Sequence, residues 1–161
     1  MDPIELIKED HRRIEALFEE YETYGDDAYA ERQAVANTII DELEAHTEME
    51  ETIAYPAFRA AFDDDGDKKV EEGYAEHDVA KNLMEELKGL DPQDAQFDAK
   101  VKVLKEAVTH HVEEEESELL PLAEDSLSGD DMARIGEEMQ AYKDAIEDEA
   151  LDAVSVEDDL I

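Results

Sequence analysis

The chain has 161 residues, and its 50 acidic against 14 basic residues give a formal net charge of -36. This length suits a single domain with a sizeable core, and a surface this acidic repels nucleic acid and anionic membranes, so we expect neither as a partner. The chain has no cysteine, which excludes disulfides, thiol catalysis and thiolate metal sites.

Five segments carry apolar residues at intervals of three and four, which predicts five amphipathic helices. Asp2 before Pro3 predicts the N-cap of the first helix. Glycine, proline or acidic turn residues separate the segments near 25–27, 63–67, 89–92 and 128–130. No segment alternates with period two, so we predict an all-α fold. Four long helices with short connections favour an up-down-up-down four-helix bundle, with a short fifth helix packed across one end.

These patterns place one bundle domain over residues 1–150. Residues 151–161, which end in an acidic stretch, are predicted to form a frayed C-terminal tail. The first residues lack the basic and apolar regions of a signal peptide, and no run of about 18 apolar residues offers a membrane span. We therefore expect a cytoplasmic protein.

Acidic residues occur in every segment, while 42% of all residues are apolar. The apolar content and its helical spacing argue against disorder. In about 1 M salt the screening length falls to about 3 Å, so the self-repulsion of this chain largely disappears. The composition thus favours the cytoplasm of a halophile that accumulates salt.

One sequence pattern occurs twice. Residues 46–56 align with residues 111–121, and a histidine, two adjacent glutamates and a proline fall at identical offsets in both. Residues i and i+4 share one face of a helix, so each histidine faces the same way as the first of the two adjacent glutamates, Glu50 or Glu115. The two copies fall on the second and fourth predicted helices, which suggests two similar halves, each a helix pair.

Each of the first four predicted helices carries one histidine within its apolar stripe, and two of them also carry a glutamate there. A buried ionised carboxylate is costly unless it is paired or bound to a metal. Few basic residues lie in these stripes, so a multivalent cation is the expected partner. The predicted metal ligands are His11, His46, Glu50, His77, His111 and Glu115.

Four imidazoles and two carboxylates form a nitrogen and oxygen donor set that suits iron, manganese or zinc. Six side chains are too many for one tetrahedral ion and too few to fill two octahedral ions. Two ions bridged by Glu50, Glu115 and a solvent-derived oxygen use all six ligands and leave one position open. Dioxygen, peroxide or nitric oxide fits an open position beside a redox metal.

Other candidate features have simpler explanations. His110 faces away from the apolar stripe and is expected on the surface. The acidic loop at 63–67 resembles a calcium loop, but Gly66 and Tyr74 do not match the EF-hand positions. No nucleophile elbow, phosphate loop or Ser-His-Asp arrangement is present, so no catalytic residue is assigned. The tyrosines expected in the core are Tyr21, Tyr55 and Tyr74.

With these motifs the chain resembles the hemerythrin-like, His-His-Glu cation-binding family over residues from about 3 to 125. The matching elements are His11, HTEMEETIAYP at 46–56, AEHDVAKNLMEEL at 75–87 and HHVEEEESELLP at 110–121. The resemblance implies a four-helix bundle that holds a non-haem di-iron centre. It therefore makes two iron ions per chain, with a bridging oxo or hydroxo group, the expected cofactor.

The chain departs from oxygen-carrying hemerythrins at two places. Their third helix has a second histidine where this chain has Lys81, and their fourth helix has an H-x-x-x-x-D pair in place of His111 and Glu115. The pattern is closer to the branch of the family with one histidine per helix, which is associated with iron or oxygen sensing and with peroxide chemistry.

We therefore expect a di-iron protein that binds or senses a small diatomic ligand, dioxygen or nitric oxide. One alternative is an enzyme that decomposes peroxide at the same centre, as a catalase or peroxidase does. The other alternative is a protein that stores or buffers iron, or a structural module held together by metal.

Overall fold

The computed structural model describes the backbone of residues 1–159 and the side chains of residues 1–151. Two π-helical segments, π1 (Glu50–Ala54) and π2 (Glu115–Leu119), each connect two α-helices. The described residues contain no strand, so the predicted all-α fold is confirmed. The α-helices are α1 (Pro3–Thr23), α2 (Tyr29–Met49), α3 (Tyr55–Ala61), α4 (Asp64–Lys88), α5 (Ala95–Glu114), α6 (Leu120–Ser126) and α7 (Gly129–Asp159).

Four rods form the bundle: α1, the continuous rod α2–π1–α3, α4, and the continuous rod α5–π2–α6. The helix α1 packs against α2, and α4 packs against α5. Short connections make each pair antiparallel, and further contacts between α2 and α4 and between α1 and α5 close the bundle. The predicted up-down-up-down four-helix bundle is thus confirmed.

The acidic stretch at 63–67 is not the loop that was expected. Asp63 caps α4, and its side chain accepts a hydrogen bond from the backbone N–H of Gly66 at 3.0 Å. The helix begins at Asp64, so the other acidic residues of this stretch lie in its first turn. Negative charges are favourable there because the helix dipole is positive at its N-terminus.

Both π segments begin at a glutamate and end before a proline at the second position of the next α-helix. A proline has no N–H and its ring clashes with the carbonyl four residues earlier, which favours a wider turn upstream. The wider turn shifts the buried face by one residue. In an uninterrupted α-helix Ile53 and Ala57 would share the face of Glu50, three and seven residues earlier, but they are only partly buried. Ala54 and Phe58 are fully buried instead.

The apolar core consists of two clusters that lie on either side of mid-bundle. One cluster contains Ile14, Phe18, Leu43, Met84 and Leu104, and the other contains Ile7, Met49, Phe58, Leu120 and Ile135. On three of the four rods a histidine separates the two clusters in sequence, and on the rod α5–π2–α6 His111 lies one residue before the last member of the first cluster, Val112. The core therefore flanks a polar layer.

The last helix is longer than predicted. It contains 31 residues, and its backbone is helical across 151–159, where a frayed tail was expected. No glycine or proline follows Gly136 to interrupt it. Ile135 and Met139 are fully buried, and α7 packs along α1 and π1. The rest of the predicted tail, residues 160 and 161, lies outside the described residues, and the division into a domain and a tail stays a prediction.

None of the helices in the described part of the chain combines the length and the apolar character that a bilayer span requires.

We expect the thermal midpoint of unfolding to rise when KCl is raised from about 0.1 M to about 1 M, because the screening length falls from about 10 Å to about 3 Å. Each kcal/mol of relieved repulsion raises Tm by about 2–4 °C in a domain of this size. Helical circular dichroism measures the midpoint. A midpoint that does not rise with KCl would contradict charge repulsion as a source of instability in dilute salt.

Candidate metal centre

A layer of four histidines and two glutamates lies between the two apolar clusters. Glu50 and Glu115 are the first residues of π1 and π2, and their exposed fractions are 0% and 2%. The histidines are also buried, and each comes from a different helix. They are His11 on α1, His46 on α2, His77 on α4 and His111 on α5.

The six side chains form two groups of four that share Glu50 and Glu115. In each group, one nitrogen or oxygen atom from every residue lies within 4.8 Å of the others. The histidines that complete the two groups are His11 with His46, and His77 with His111. The structure therefore brings together all six residues that the sequence predicted as ligands.

The spacing of the donor atoms suits common ions. Two atoms bound at right angles to one ion, each at about 2.1 Å, lie about 3.0 Å apart. The observed distances match this value. They are 3.0 Å from His46 Nε2 to Glu50 Oε1, 3.1 Å from His11 Nε2 to Glu115 Oε1, 3.1 Å from His111 Nε2 to Glu115 Oε2 and 3.3 Å from His77 Nε2 to Glu50 Oε1.

Several buried polar atoms of this layer have no hydrogen-bond partner. They are both carboxylate oxygens of Glu50, Oε1 of Glu115, and the Nε2 atoms of His11 and His46. Within the described residues, no lysine or arginine forms an ion pair with either glutamate. Unpaired buried carboxylates are costly, and a metal ion removes this cost. The donor set therefore fits a bound metal.

A second carboxylate lies behind each histidine and accepts a hydrogen bond from its Nδ1–H. The pairs are His11 with Glu116 at 2.7 Å, His46 with Asp10 at 2.8 Å, His77 with Glu51 at 3.0 Å and His111 with Glu76 at 2.9 Å. This bond fixes the ring so that the lone pair on Nε2 points at the centre. Histidines that bind metals commonly have such a partner, which also makes them more basic.

These four outer carboxylates were not predicted from the sequence. One signal was present, because Glu51 and Glu116 are the second of the two adjacent glutamates in the repeated pattern. Glu116 ends the acidic run 113–116, and it contacts His11 on another helix. No sequence spacing links Asp10 to His46 or Glu76 to His111, since each pair joins two helices.

Lys81, which stands where oxygen-carrying hemerythrins have a second histidine, lies outside the six-residue layer. Its Nζ donates to both oxygens of Glu51 at 2.6 and 2.9 Å. Glu51 in turn accepts from His77. Lys81 thus neutralises an outer carboxylate and makes no ion pair with Glu50 or Glu115.

Tyr55 is a site residue that the sequence placed only in the core. It is fully buried, and its hydroxyl donates to Glu115 Oε2 at 2.5 Å and lies 3.4 Å from His77 Nε2. The wide turn of π1 directs it inward. Gly73 on α4 makes room for it, because a Cβ there would lie 3.0 Å from the Tyr55 hydroxyl oxygen.

Charge coupling within the layer shifts the pKa values of several of these groups. Burial lowers the pKa of His46, but the carboxylates of Glu50 and Asp10 outweigh burial and raise it to about 10. For His111, Glu115 and Glu76 likewise overcome burial and raise the pKa well above its ordinary value. Without metal, the carboxylates of this layer are therefore balanced by protons on imidazoles.

A small cavity lies against all four histidines. Its volume is about 20 Å³, which is close to the space that one water-sized molecule needs. The rest of its wall is mostly aliphatic and includes Ile14, Leu43, Ala80, Val108 and Val112.

Comparisons with known proteins agree with this geometry. A protein of Nostoc sp. named as a DNA nickase is 30% identical over 143 residues, which are 89% of this chain but 39% of that protein. An uncharacterized hemerythrin-like protein of Schizosaccharomyces pombe is 24% identical over 139 residues, 86% of this chain and 68% of that protein. The chain thus spans about two fifths of the Nostoc protein's length.

A crystal structure of a hemerythrin HHE cation-binding domain protein from Mycobacterium kansasii superposes with a TM-score of 0.79 and 23% sequence identity. The superposition covers 94% of this chain and 90% of that protein, which shows the same fold. The family model described as the hemerythrin HHE cation binding domain matches residues 2–123. This match covers most of the chain, which therefore belongs to the hemerythrin HHE cation-binding domain family.

Proposed function

We propose that this chain is a non-haem di-iron protein that binds or senses dioxygen or nitric oxide at an open iron position. The observation that carries the proposal is the pair of four-donor groups that share Glu50 and Glu115. Each group would offer one ion two imidazole nitrogens and two carboxylate oxygens. An iron ion that takes six ligands then has room for a solvent-derived oxo or hydroxo bridge and for a small ligand.

The cavity beside the histidines supports a small ligand. Its volume of about 20 Å³ is far below the roughly 300 Å³ or more of a site for an organic molecule. Its aliphatic wall suits an apolar diatomic molecule better than an ion. The same volume argues against storage, because a mineral core does not fit there.

The acidic composition supports further proposals about setting and partners. We propose a cytoplasmic protein of a salt-accumulating cell that does not bind nucleic acid, on the ground of its net charge of -36. The name of the Nostoc relative refers to DNA, but the matched region is 39% of that protein.

Peroxide decomposition is a second candidate, and Tyr55 favours it. A buried hydroxyl that donates to Glu115 at 2.5 Å and lies near His77 places an exchangeable proton beside the centre. Decomposition of peroxide needs proton transfer, and a positioned hydroxyl group supplies it.

Replacing either shared glutamate is expected to remove tightly bound metal. Glu50→Gln or Glu115→Gln takes one carboxylate charge from both ions at once, so iron content falls from two ions per chain to fewer than one. Elemental analysis after desalting measures the content. Glu113→Gln removes the same charge from an exposed position on α5 and keeps two ions. Equal loss in all three variants would show that the metal is not held by this layer.

The iron-loaded protein is expected to change its absorption spectrum when dioxygen or nitric oxide is added to the reduced form. The open position and the small cavity permit direct binding, and stopped-flow spectroscopy follows it. The absence of any spectral change with both gases would overturn the diatomic proposal. Sustained oxygen release from hydrogen peroxide, slowed by Tyr55→Phe at unchanged iron content, would instead favour the peroxide enzyme.

Metal affinity is expected to fall as pH is lowered. The pKa of His46 is raised to about 10 in the metal-free centre, so metal binding must displace a proton at neutral pH. For each proton that metal binding displaces, the apparent affinity falls about tenfold when the pH is lowered by one unit. Chelator competition with Zn²⁺ between about pH 7 and 9 tests this. Affinity that does not change with pH would show that the imidazoles are already unprotonated.

The free energy of unfolding of the metal-free protein is expected to decrease as pH rises, whereas metal affinity increases. The raised pKa of His46 stabilises the fold fully below its ordinary value of 6.5, and this contribution is lost as pH rises towards about 10.

A further inference from the structure

The four outer carboxylates differ in what neutralises them. Three of them contact a lysine or arginine: Asp10 contacts Arg13 and Lys143, Glu51 contacts Lys81, and Glu116 contacts Arg12. For Glu76, no lysine or arginine among the described side chains lies within ion-pair distance. The fourfold arrangement therefore lacks one positive charge, and the gap is at the surface end of Glu76.

Two other side chains that could bind a metal, His110 and Glu114, lie at the surface end of Glu76. Nε2 of His110 lies 3.5 Å from Glu76 Oε2 and 3.1 Å from Glu114 Oε1. One donor atom from each of Glu76, His110 and Glu114 lies within 4.8 Å of the other two. His110 was expected at the surface, and 64% of its side chain is exposed. One imidazole and two carboxylates suit Fe²⁺, Mn²⁺ or Zn²⁺.

A narrow cleft joins this surface cluster to the buried centre. Its wall includes Glu76 and Glu114 from the cluster and also His111 and Glu115 from the centre. Glu115 is 2% exposed, and its Oε2 lies 3.1 Å from Nε2 of His111. The cleft thus leads from exposed donor atoms to two predicted ligands of the buried centre.

We propose that Glu76, His110 and Glu114 bind a divalent cation at the surface and pass it along this cleft to His111 and Glu115. The transfer is an exchange of ligands without any redox step. Glu76 connects the two places, because its Oε1 accepts from Nδ1 of His111 at 2.9 Å. The delivery step rests on the function proposed above, while binding at the surface cluster does not.

Electrostatics explains why the cluster speeds uptake. Carboxylates in a cleft focus their field, raise the local concentration of cations and increase association rates by about 10- to 1,000-fold. Glu72 and Glu118 add further negative charge along the cleft wall. Lys69 also lines the cleft, where its Nζ lies 3.6 Å from Glu118.

The rate of metal loading tests the proposal with a double variant, His110→Ala with Glu114→Gln. Glu76 is left in place because it orients His111. Metal-free protein is mixed with Fe²⁺ without oxygen, quenched with a chelator at intervals and analysed for retained iron. We expect both proteins to reach two ions per chain, with the variant loading about tenfold more slowly. Equal rates would overturn the uptake route.

A matched control separates the cluster from a general charge effect. Glu113→Gln removes one charge next to Glu114 from an exposed side chain that is not part of the cluster. We expect it to load at the rate of the unaltered protein. Slowing equal to that of the double variant would mean that overall charge, not a specific site, sets the rate, and the proposal would fail.

A second measurement detects the surface site directly. Protein whose centre is filled with Zn²⁺ is titrated with small amounts of Mn²⁺, and the imidazole signals are followed by NMR. We expect the signal of His110 to broaden first, and no broadening of it would overturn the surface site. If the protein retains no iron at all, the proposed function is wrong. The effect of Mn²⁺ on the His110 signal in the same protein still shows whether the surface cluster binds cations.

Discussion

Two buried carboxylates without a cationic side chain impose the main constraint on this bundle. Glu50 and Glu115 are almost fully inaccessible, and each lies about 3 Å from imidazole nitrogens of two helices. Such a layer is unfavourable unless protons or metal ions balance it. Every rod of the bundle contributes to that balance, so the site and the fold stabilise each other, and metal binding couples directly to stability.

The outer carboxylates extend this constraint to the surface. Each one holds an imidazole by its Nδ1–H, and three of them are held in turn by lysine or arginine. Four of the 14 lysine and arginine residues, Arg12, Arg13, Lys81 and Lys143, make these contacts. Glu76 is the exception, because no described lysine or arginine pairs with it. It also lines the cleft that leads to the centre.

Much of the site was predictable because it depends on local spacing. A histidine and a glutamate four residues apart share a helix face, and the pattern occurs twice, so the two shared carboxylates were found without a structure. The π segments were not predicted. Their effect appears as a shift of the buried face by one residue, which brings Tyr55 to Glu115 and buries Phe58 in place of Ala57.

The sequence by itself determined the helices, their connections and the six candidate ligands, because periodicity and turn residues act over a few positions. Tertiary structure decided how the six ligands divide into two groups and which outer carboxylate supports which histidine. It also decided that Lys81 neutralises Glu51 and not a shared glutamate. These contacts join residues from different helices, and they depend on the packing of the rods, which no spacing along one helix specifies.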